Sequence, residues 1–339
     1  MQSSSELFPV ALISADLRGD LTEDVYRLKP NNSPDQSVEL ALTRLGLLRA
    51  GTARGLPVIL LHGSFSNRRF WFSPKGIGLG AYLARAGFDV WIAEMRGHGL
   101  SPRNLTYARN RVADYARYDL PAIADFVIEQ TGRVPHWLGH SLGGISLAAA
   151  VGGGYLDDGR AATLALFGSQ VSQSHWALKI PPVEWVARSL LRHFGGVSGA
   201  RSMRGPEDEP AGLLIESLRW HGLFGRFGEK GRDWLAGLAE ARMPTLMVTA
   251  EGDRQDPPSA CQALLERFGS ENRVYLCLGP QTGLSTAFGH VQMLVSKAAQ
   301  AQVWPLVERW LRDPLVAVHE ATVVVEAVPA TGPLQTKPE

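Results

Sequence analysis

The feature that most constrains this fold is a repeated exchange, along the middle of the chain, between short apolar runs and longer amphipathic segments. Residues 58–62, 89–93, 135–139, 162–168, 245–250 and 273–278 are each strand-length and aliphatic or β-branched, and several end at glycine. Strands that read apolar without alternation are buried on both faces. Between them lie helix candidates at 77–86, 118–130, 142–151, 258–268 and 291–311. Strands alternating with helices predict an α/β chain with a mostly parallel, doubly wound sheet and helices on both faces. Upstream, 24–28 and 38–48 read as two antiparallel strands that precede the parallel set.

One stretch interrupts this alternation. Residues 171–242 contain no convincing buried strand, yet hold Trp176, Trp185, Phe194, Trp220, Phe224, Phe227 and Trp234 among arginines and glycines. It reads as a helical lid inserted over the carboxyl ends of the strands, where open α/β sheets bind ligands; the same aromatics would also serve as a satellite core. The core then comprises 22–170 and 243–312, with 1–21 as an N-terminal extension and 313–339 as a partly disordered tail without periodicity.

Charge and cysteine content narrow the function classes. Lys and Arg number 34 against 33 Asp and Glu, a formal charge of +1. A chain so balanced has no single-sign field to attract nucleic acid or anionic lipid. Cys261 and Cys277 are too few for a disulfide framework and lack zinc-site spacing, so they read as small buried apolar residues. No stretch approaches the roughly 18 apolar residues of a membrane span, and the first twenty residues lack a secretory pattern. A cytoplasmic location is the expectation; the oligomeric state is open.

The chemistry is concentrated at Gly139-His140-Ser141-Leu142-Gly143, a G-x-S-x-G that directly follows an apolar strand and opens a helix. A serine on such a tight turn points its Oγ out of the sheet, and the flanking Gly139 and Gly143 avoid clashes with neighbouring backbone. The helix start also presents free N–H groups where an oxyanion would form. A hydroxyl needs a base, and a histidine base needs a carboxylate to orient it. His290 follows the last parallel strand and precedes the final helix, the place from which a loop returns to the top of the sheet. Of the other histidines, His175, His193 and His221 fall in the insertion and His319 in the tail. His62, His98 and His140 adjoin glycine turns and have structural explanations.

For the carboxylate, Glu251, Asp253 and Asp256 compete on the loop after 245–250. Asp253 is favoured at the loop crest, with Asp256 as the alternative acid, better placed to cap the helix that begins at the Pro257-Pro258 pair. The first oxyanion donor is the backbone N–H of Leu142. The second comes from the loop after 58–62, where His62-Gly63-Ser64 selects Ser64.

Together, Leu61-His62-Gly63, Arg96-Gly97-His98-Gly99-Leu100-Ser101, the elbow at 139–143, Asp253 and Gly289-His290 resemble the α/β-hydrolase fold over roughly residues 22–312. Residues 68–130, with Trp71, Leu79–Leu83, Gly87-Phe88-Asp89-Val90-Trp91 and Tyr118–Ala122, are similar to the acid lipases of gastric and lysosomal type and their bacterial relatives. Leu142 departs from that group, which carries Gln there. The resemblance implies an esterase or lipase-like hydrolase with an acyl-enzyme on Ser141.

No phosphate loop or metal-ligand cluster appears, so no cofactor is expected. The aromatic, weakly charged lid favours an apolar acyl group, hence a small apolar ester as substrate. The same three residues would equally serve an acyltransferase or thioesterase, and a non-catalytic binding protein on this fold is a further alternative.

Overall fold

The computed structural model describes residues 3–48, 54–173, 180–221, 225–314 and 326–327. His175, Trp176, Phe224, His319 and most of the expected tail lie outside the described residues. The six expected parallel-set strands form as β4 (Pro57–Leu61), β5 (Asp89–Glu94), β6 (His136–His140), β7 (Thr163–Phe167), β8 (Thr245–Ala250) and β9 (Arg273–Leu278). Before them come β1 (Val10–Arg18), β2 (Leu21–Leu28) and β3 (Leu40–Leu47), and after them a two-residue strand, β10 (Glu326–Ala327). Among the described residues these ten make one sheet in the order β1-β2-β3-β5-β4-β6-β7-β8-β9-β10. Pairing is parallel from β5 through β9 and antiparallel at both ends.

The side-chain alternation of β4 shows why the central strands read as unbroken apolar runs. Val58 and Leu60 join one apolar layer, Ile59 and Leu61 the other, and all four are fully buried. On one face α2 (Leu120–Thr131) and α3 (Leu142–Gly152) supply Ile123, Phe126, Leu147 and Ala148. On the other, α1 (Leu79–Arg85) supplies Leu79 and Leu83, and the last long helix, Trp304–Arg312, adds Trp304, Val307 and Trp310.

Two expectations are corrected. The N-terminal extension contributes β1, an edge strand paired along its length with β2. Its sequence shows no clean alternation: Leu12 and Leu17 face solvent at 45% and 62% exposure, and its register shifts between Leu12 and Ser14. The segment 291–311 is not one helix but three, Gln292–Val295, Lys297–Gln302 and Trp304–Arg312. Ser296 is extended and its hydroxyl caps the second piece through Ala299 N–H, while Pro305 opens the third. A capping serine and a proline each interrupt the i→i−4 ladder.

Between β7 and β8 the chain leaves the sheet. It forms α4 (Pro181–Phe194) and α5 (Ala211–His221), with Gly196–Val197 pairing antiparallel to Glu209–Pro210. Trp220, Phe227 and Trp234 pack edge to face at 4.8 to 6.0 Å and are buried, whereas Trp185 and Phe194 on α4 are 64% and 72% exposed. Cys261 is buried, Cys277 is half-buried, and both are free thiols. No helix among the described residues is long and apolar enough to cross a membrane.

Candidate active site

Ser141 occupies the turn between β6 and α3 with φ +52° and ψ −118°, a conformation that L-residues avoid. The turn holds because its neighbours leave no room for it to relax. Ser141 N–H donates to the Phe167 carbonyl at 2.8 Å, and the Ser169 hydroxyl donates to the Ser141 carbonyl at 3.1 Å. A Cβ on Gly139 would lie 2.6 Å from Gly144 N, and one on Gly143 would lie 2.5 Å from the Leu61 carbonyl. A side chain at either position would strike neighbouring backbone.

The loop after β4 packs against this turn. A Cβ on Gly63 would approach Ser141 Cβ to 3.1 Å, so the Gly63–Ser64 backbone sits beside Ser141. The N–H groups of Ser64 and of Leu142, the latter at the helix start, find no acceptor among the described residues, and both residues line the same cavity as Ser141.

His290 and Asp253 are brought together from separate loops. His290 Nδ1–H donates to Asp253 Oδ2 at 2.8 Å, and the Asp253 side chain is fully buried. Asp253 Oδ1 accepts the N–H groups of Gln255 and Asp256, both at 2.9 Å, which fixes the carboxylate orientation. His290 Nε2 faces the cavity and contacts the Gln255 side-chain amide at 3.2 Å.

Asp256 does not cap the following helix, whose N-cap is Pro257. Its carboxylate turns inward instead, accepting a hydrogen bond from Gln170 Nε2 at 3.0 Å and lying 3.8 Å from His290 Nδ1. Burial pushes its carboxyl up to about 6, against the opposing influence of His290. Asp253, closer to the imidazole and held by two backbone donors, is the better oriented of the two.

The remaining histidines of the region are engaged elsewhere. His62 Nδ1–H donates to the Gly63 carbonyl at 2.9 Å, and Nε2 accepts the Met95 N–H at 3.2 Å. Burial, helped by His98, pushes its imidazole down to about 3. His140 Nε2–H donates to the His290 carbonyl at 3.0 Å, and its ring stacks on Phe70 at 4.6 Å. Burial and the proximity of His290 hold it at about 3 as well. Both rings stay neutral at physiological pH, and His140 ties the His290 loop to the serine turn.

Residues that sequence reasoning missed include Gly168, Gln170, Gln255 and Phe70. Gly168, at φ +50°, is where a Cβ would lie 3.0 Å from Asp253 Oδ2 and 3.1 Å from His290 Nδ1. Its position at the end of a strand was a visible signal, but its neighbours are remote in sequence.

A cavity of about 740 Å³ collects Ser64, Ser141, Leu142, His290 and Asp256 from the core, and Leu213, Leu214, Trp220 and His221 from α5. Among the described residues no group of three or more His, Cys, Asp or Glu could hold a metal ion. The arrangement presents a strained serine, an imidazole oriented by a buried carboxylate, and two free N–H groups around one partly apolar cavity.

The comparisons with known proteins agree on the architecture. The model of the alpha/beta hydrolase family matches residues 58–325. Human gastric triacylglycerol lipase is 35% identical over 134 residues, 36% of this chain and 31% of that protein. Triacylglycerol lipase 2 of Arabidopsis thaliana is 31% identical over 153 residues, 42% of this chain and 35% of that protein. The matches thus span about a third of the length of these relatives. Among solved structures, a thermophilic esterase from Thermogutta terrifontis superposes with a TM-score of 0.54 at 18% identity, covering 83% of this chain and 96% of that one. A soluble variant of monoglyceride lipase from Saccharomyces cerevisiae gives a TM-score of 0.58 at 12% identity, covering 81% and 91%.

Proposed function

The chain belongs to the alpha/beta hydrolase family, and from that premise we propose that it is a serine hydrolase of carboxylic esters with an apolar acyl group. His290 takes the Ser141 proton as Oγ attacks the ester carbonyl, and Asp253 fixes the tautomer and stabilises the imidazolium. The oxyanion is received by the N–H groups of Ser64 and Leu142. His290 then returns its proton to the departing alcohol, and water hydrolyses the acyl-enzyme by the same route in reverse.

The observation that carries this reading is Ser141 on its φ +52° turn, sharing one cavity with the Asp253-oriented His290 and with two unpartnered backbone donors. The apolar acyl preference is supported by Phe70, Val112, Leu142, Ile145, Leu213, Leu214 and Trp220 in the cavity wall. Each methylene buried there contributes about 0.8 kcal/mol. Residues 204–221 form much of that wall, which supports 171–242 as a lid on the core.

The test is a chain-length series of p-nitrophenyl esters on the wild type and on Ser141→Ala, with a fluorophosphonate probe for the serine. Turnover peaking at medium or longer chains, stoichiometric labelling at Ser141 and an inert alanine variant are expected. An active Ser141→Ala would overturn the nucleophile assignment, and a peak at acetate would overturn the acyl preference.

A further inference from the structure

Behind the loop that carries Ser64 lies a buried carboxylate for which the reaction above has no use. Glu209 belongs to the inserted segment and is completely shielded from solvent. Its Oε1 accepts the Phe65 N–H at 2.6 Å, and its Oε2 lies 3.4 Å from Nε2 of His98, which is equally shielded. Burial alone would lower the His98 imidazole, but Glu209, together with the Arg96 carbonyl and Glu207, raises it on balance. A carboxylate is retained in such a place only with partners, and here one partner is the backbone of the oxyanion loop.

Phe65 has φ +58°, a left-handed conformation that a side chain with a Cβ does not hold unaided. It is clamped on both sides by the insertion. Glu207 N–H donates to the Phe65 carbonyl at 3.1 Å, and the Asn67 amide donates to Glu207 Oε1 at 2.6 Å. Gly205 backs onto the same carbonyl so closely that a Cβ there would come within 2.1 Å of its oxygen. The Phe65 N–H lies in the Ser64–Phe65 peptide plane, one Cα from the Gly63–Ser64 plane that carries the Ser64 N–H, so holding it limits how far that neighbouring plane can turn.

We propose that Glu209 is a positioning residue for the oxyanion site: by holding the Phe65 N–H from the inserted segment it aims the Ser64 N–H, so catalysis requires residues 204–210 to be seated on the core. This rests on the reading of Ser141 as nucleophile and Ser64 as oxyanion donor. The insertion on this account completes the catalytic apparatus as well as covering the cavity.

The experiment compares kcat and KM of the full chain on an ester and on its thionoester, whose C=S accepts hydrogen bonds poorly. The ester-to-thionoester ratio therefore reports the oxyanion donors. Glu209→Gln keeps an acceptor oxygen within reach of Phe65 N–H and should hold that ratio within about twofold of wild type. Glu209→Asp keeps the charge but withdraws it by one methylene. It should lower ester kcat about tenfold, part of the 10²–10³ that a lost donor costs, and narrow the ratio with KM little changed.

A wild-type ratio in Glu209→Asp, or equal damage from Gln and Asp, would overturn the proposal, the latter by showing that only the charge facing His98 matters. If Glu209→Asp does not fold, Asn67→Ala loosens the same clamp from its outer side, and an unmoved ratio there overturns the proposal too. Ser141→Ala separates the two levels. An inert Ser141→Ala beside an unmoved Glu209→Asp removes only the positioning role, whereas an active Ser141→Ala removes the nucleophile and this proposal with it.

Discussion

Two carboxylates near one imidazole stand in different surroundings. Asp253 receives two backbone N–H groups and the His290 Nδ1–H, whereas Asp256 receives Gln170 and is pushed up to about 6 by burial. Asp253→Asn should therefore lower kcat by on the order of 10³–10⁴ through loss of the correct tautomer, while Asp256→Asn should cost tenfold at most; steady-state kinetics on one ester compares them. The two also separate in stability. The Asp256 carboxyl sits at about 6 in the folded protein, above its ordinary value of 3.8, so the folded state binds the extra proton between these limits. Stability from this group is thus present at low pH and falls as pH rises through about 6. Asp256→Asn, which keeps an acceptor for Gln170 and carries no charge, should melt a few degrees above wild type at pH 7.5, with the gain vanishing below pH 4. A difference in melting temperature that does not change with pH would contradict this assignment.

At the scale of elements, what the sequence made legible was whatever depended on neighbours along the chain. The strand, serine turn and helix around 136–152 could be read because Gly139, Ser141 and Gly143 lie within one turn and are flanked by unmistakable periodicity. The loops of Asp253 and His290 were legible because each follows a strong apolar strand. Contacts between elements left no such trace. Gly168 reads as an ordinary strand end, yet its missing side chain makes room for the Asp253–His290 pair; Glu209 and His98 are far apart in sequence and meet under the oxyanion loop. The glycines at 152, 196 and 199 show the same limit. Their Cβ positions would strike the backbone of Trp234, Glu209 and Glu207, all contacts formed by the insertion. Close approach of whole elements can be tested at the elbow. Gly143→Ala would drive a methyl to 2.5 Å from the Leu61 carbonyl and 2.7 Å from that of His62. Pushing β4 and its loop away from α3 should cost about 1–3 kcal/mol of stability and at least 10²-fold in kcat. Gly168→Ala, strained at φ +50° and pressed against the acid–base pair, should lose activity comparably, with substrate KM less affected. Thermal melting alongside kinetics checks both, and a Gly143→Ala enzyme with wild-type kcat would show that the elbow can relax.

For the whole molecule the decisive relation is between the sheet, whose loops carry the residues of the proposed chemistry, and the insertion, which supplies part of the cavity wall around them. The near-neutral charge and the apolar wall at Leu213, Leu214 and Trp220 both suit an uncharged acyl chain over an anionic ligand. Trp220 has a further consequence. It lines the cavity of about 740 Å³ that holds Ser141 and also a second cavity of about 670 Å³ between α4 and α5, so this one residue borders both spaces. It is held edge to face by Phe227 and Trp234, and on the proposed function it is the side chain expected to limit the acyl chain in the first cavity. Trp220→Leu keeps an apolar wall, removes the indole that borders both cavities, and lets a longer chain run toward the space beneath α4. The chain-length optimum should move up by several methylenes, with kcat/KM on the longest esters rising about three- to fourfold for each further methylene buried, as about 0.8 kcal/mol apiece implies. Short esters should lose little, because the substitution leaves Ser141, His290 and the two backbone donors unchanged. The second space is also lined by charged side chains, among them Arg188, Arg219, Arg226, Lys230 and Glu216, which sets a limit on that gain once an apolar chain reaches them. An optimum that stays where the wild type has it would place the acyl chain along a different wall, and the p-nitrophenyl series run on both proteins distinguishes these outcomes.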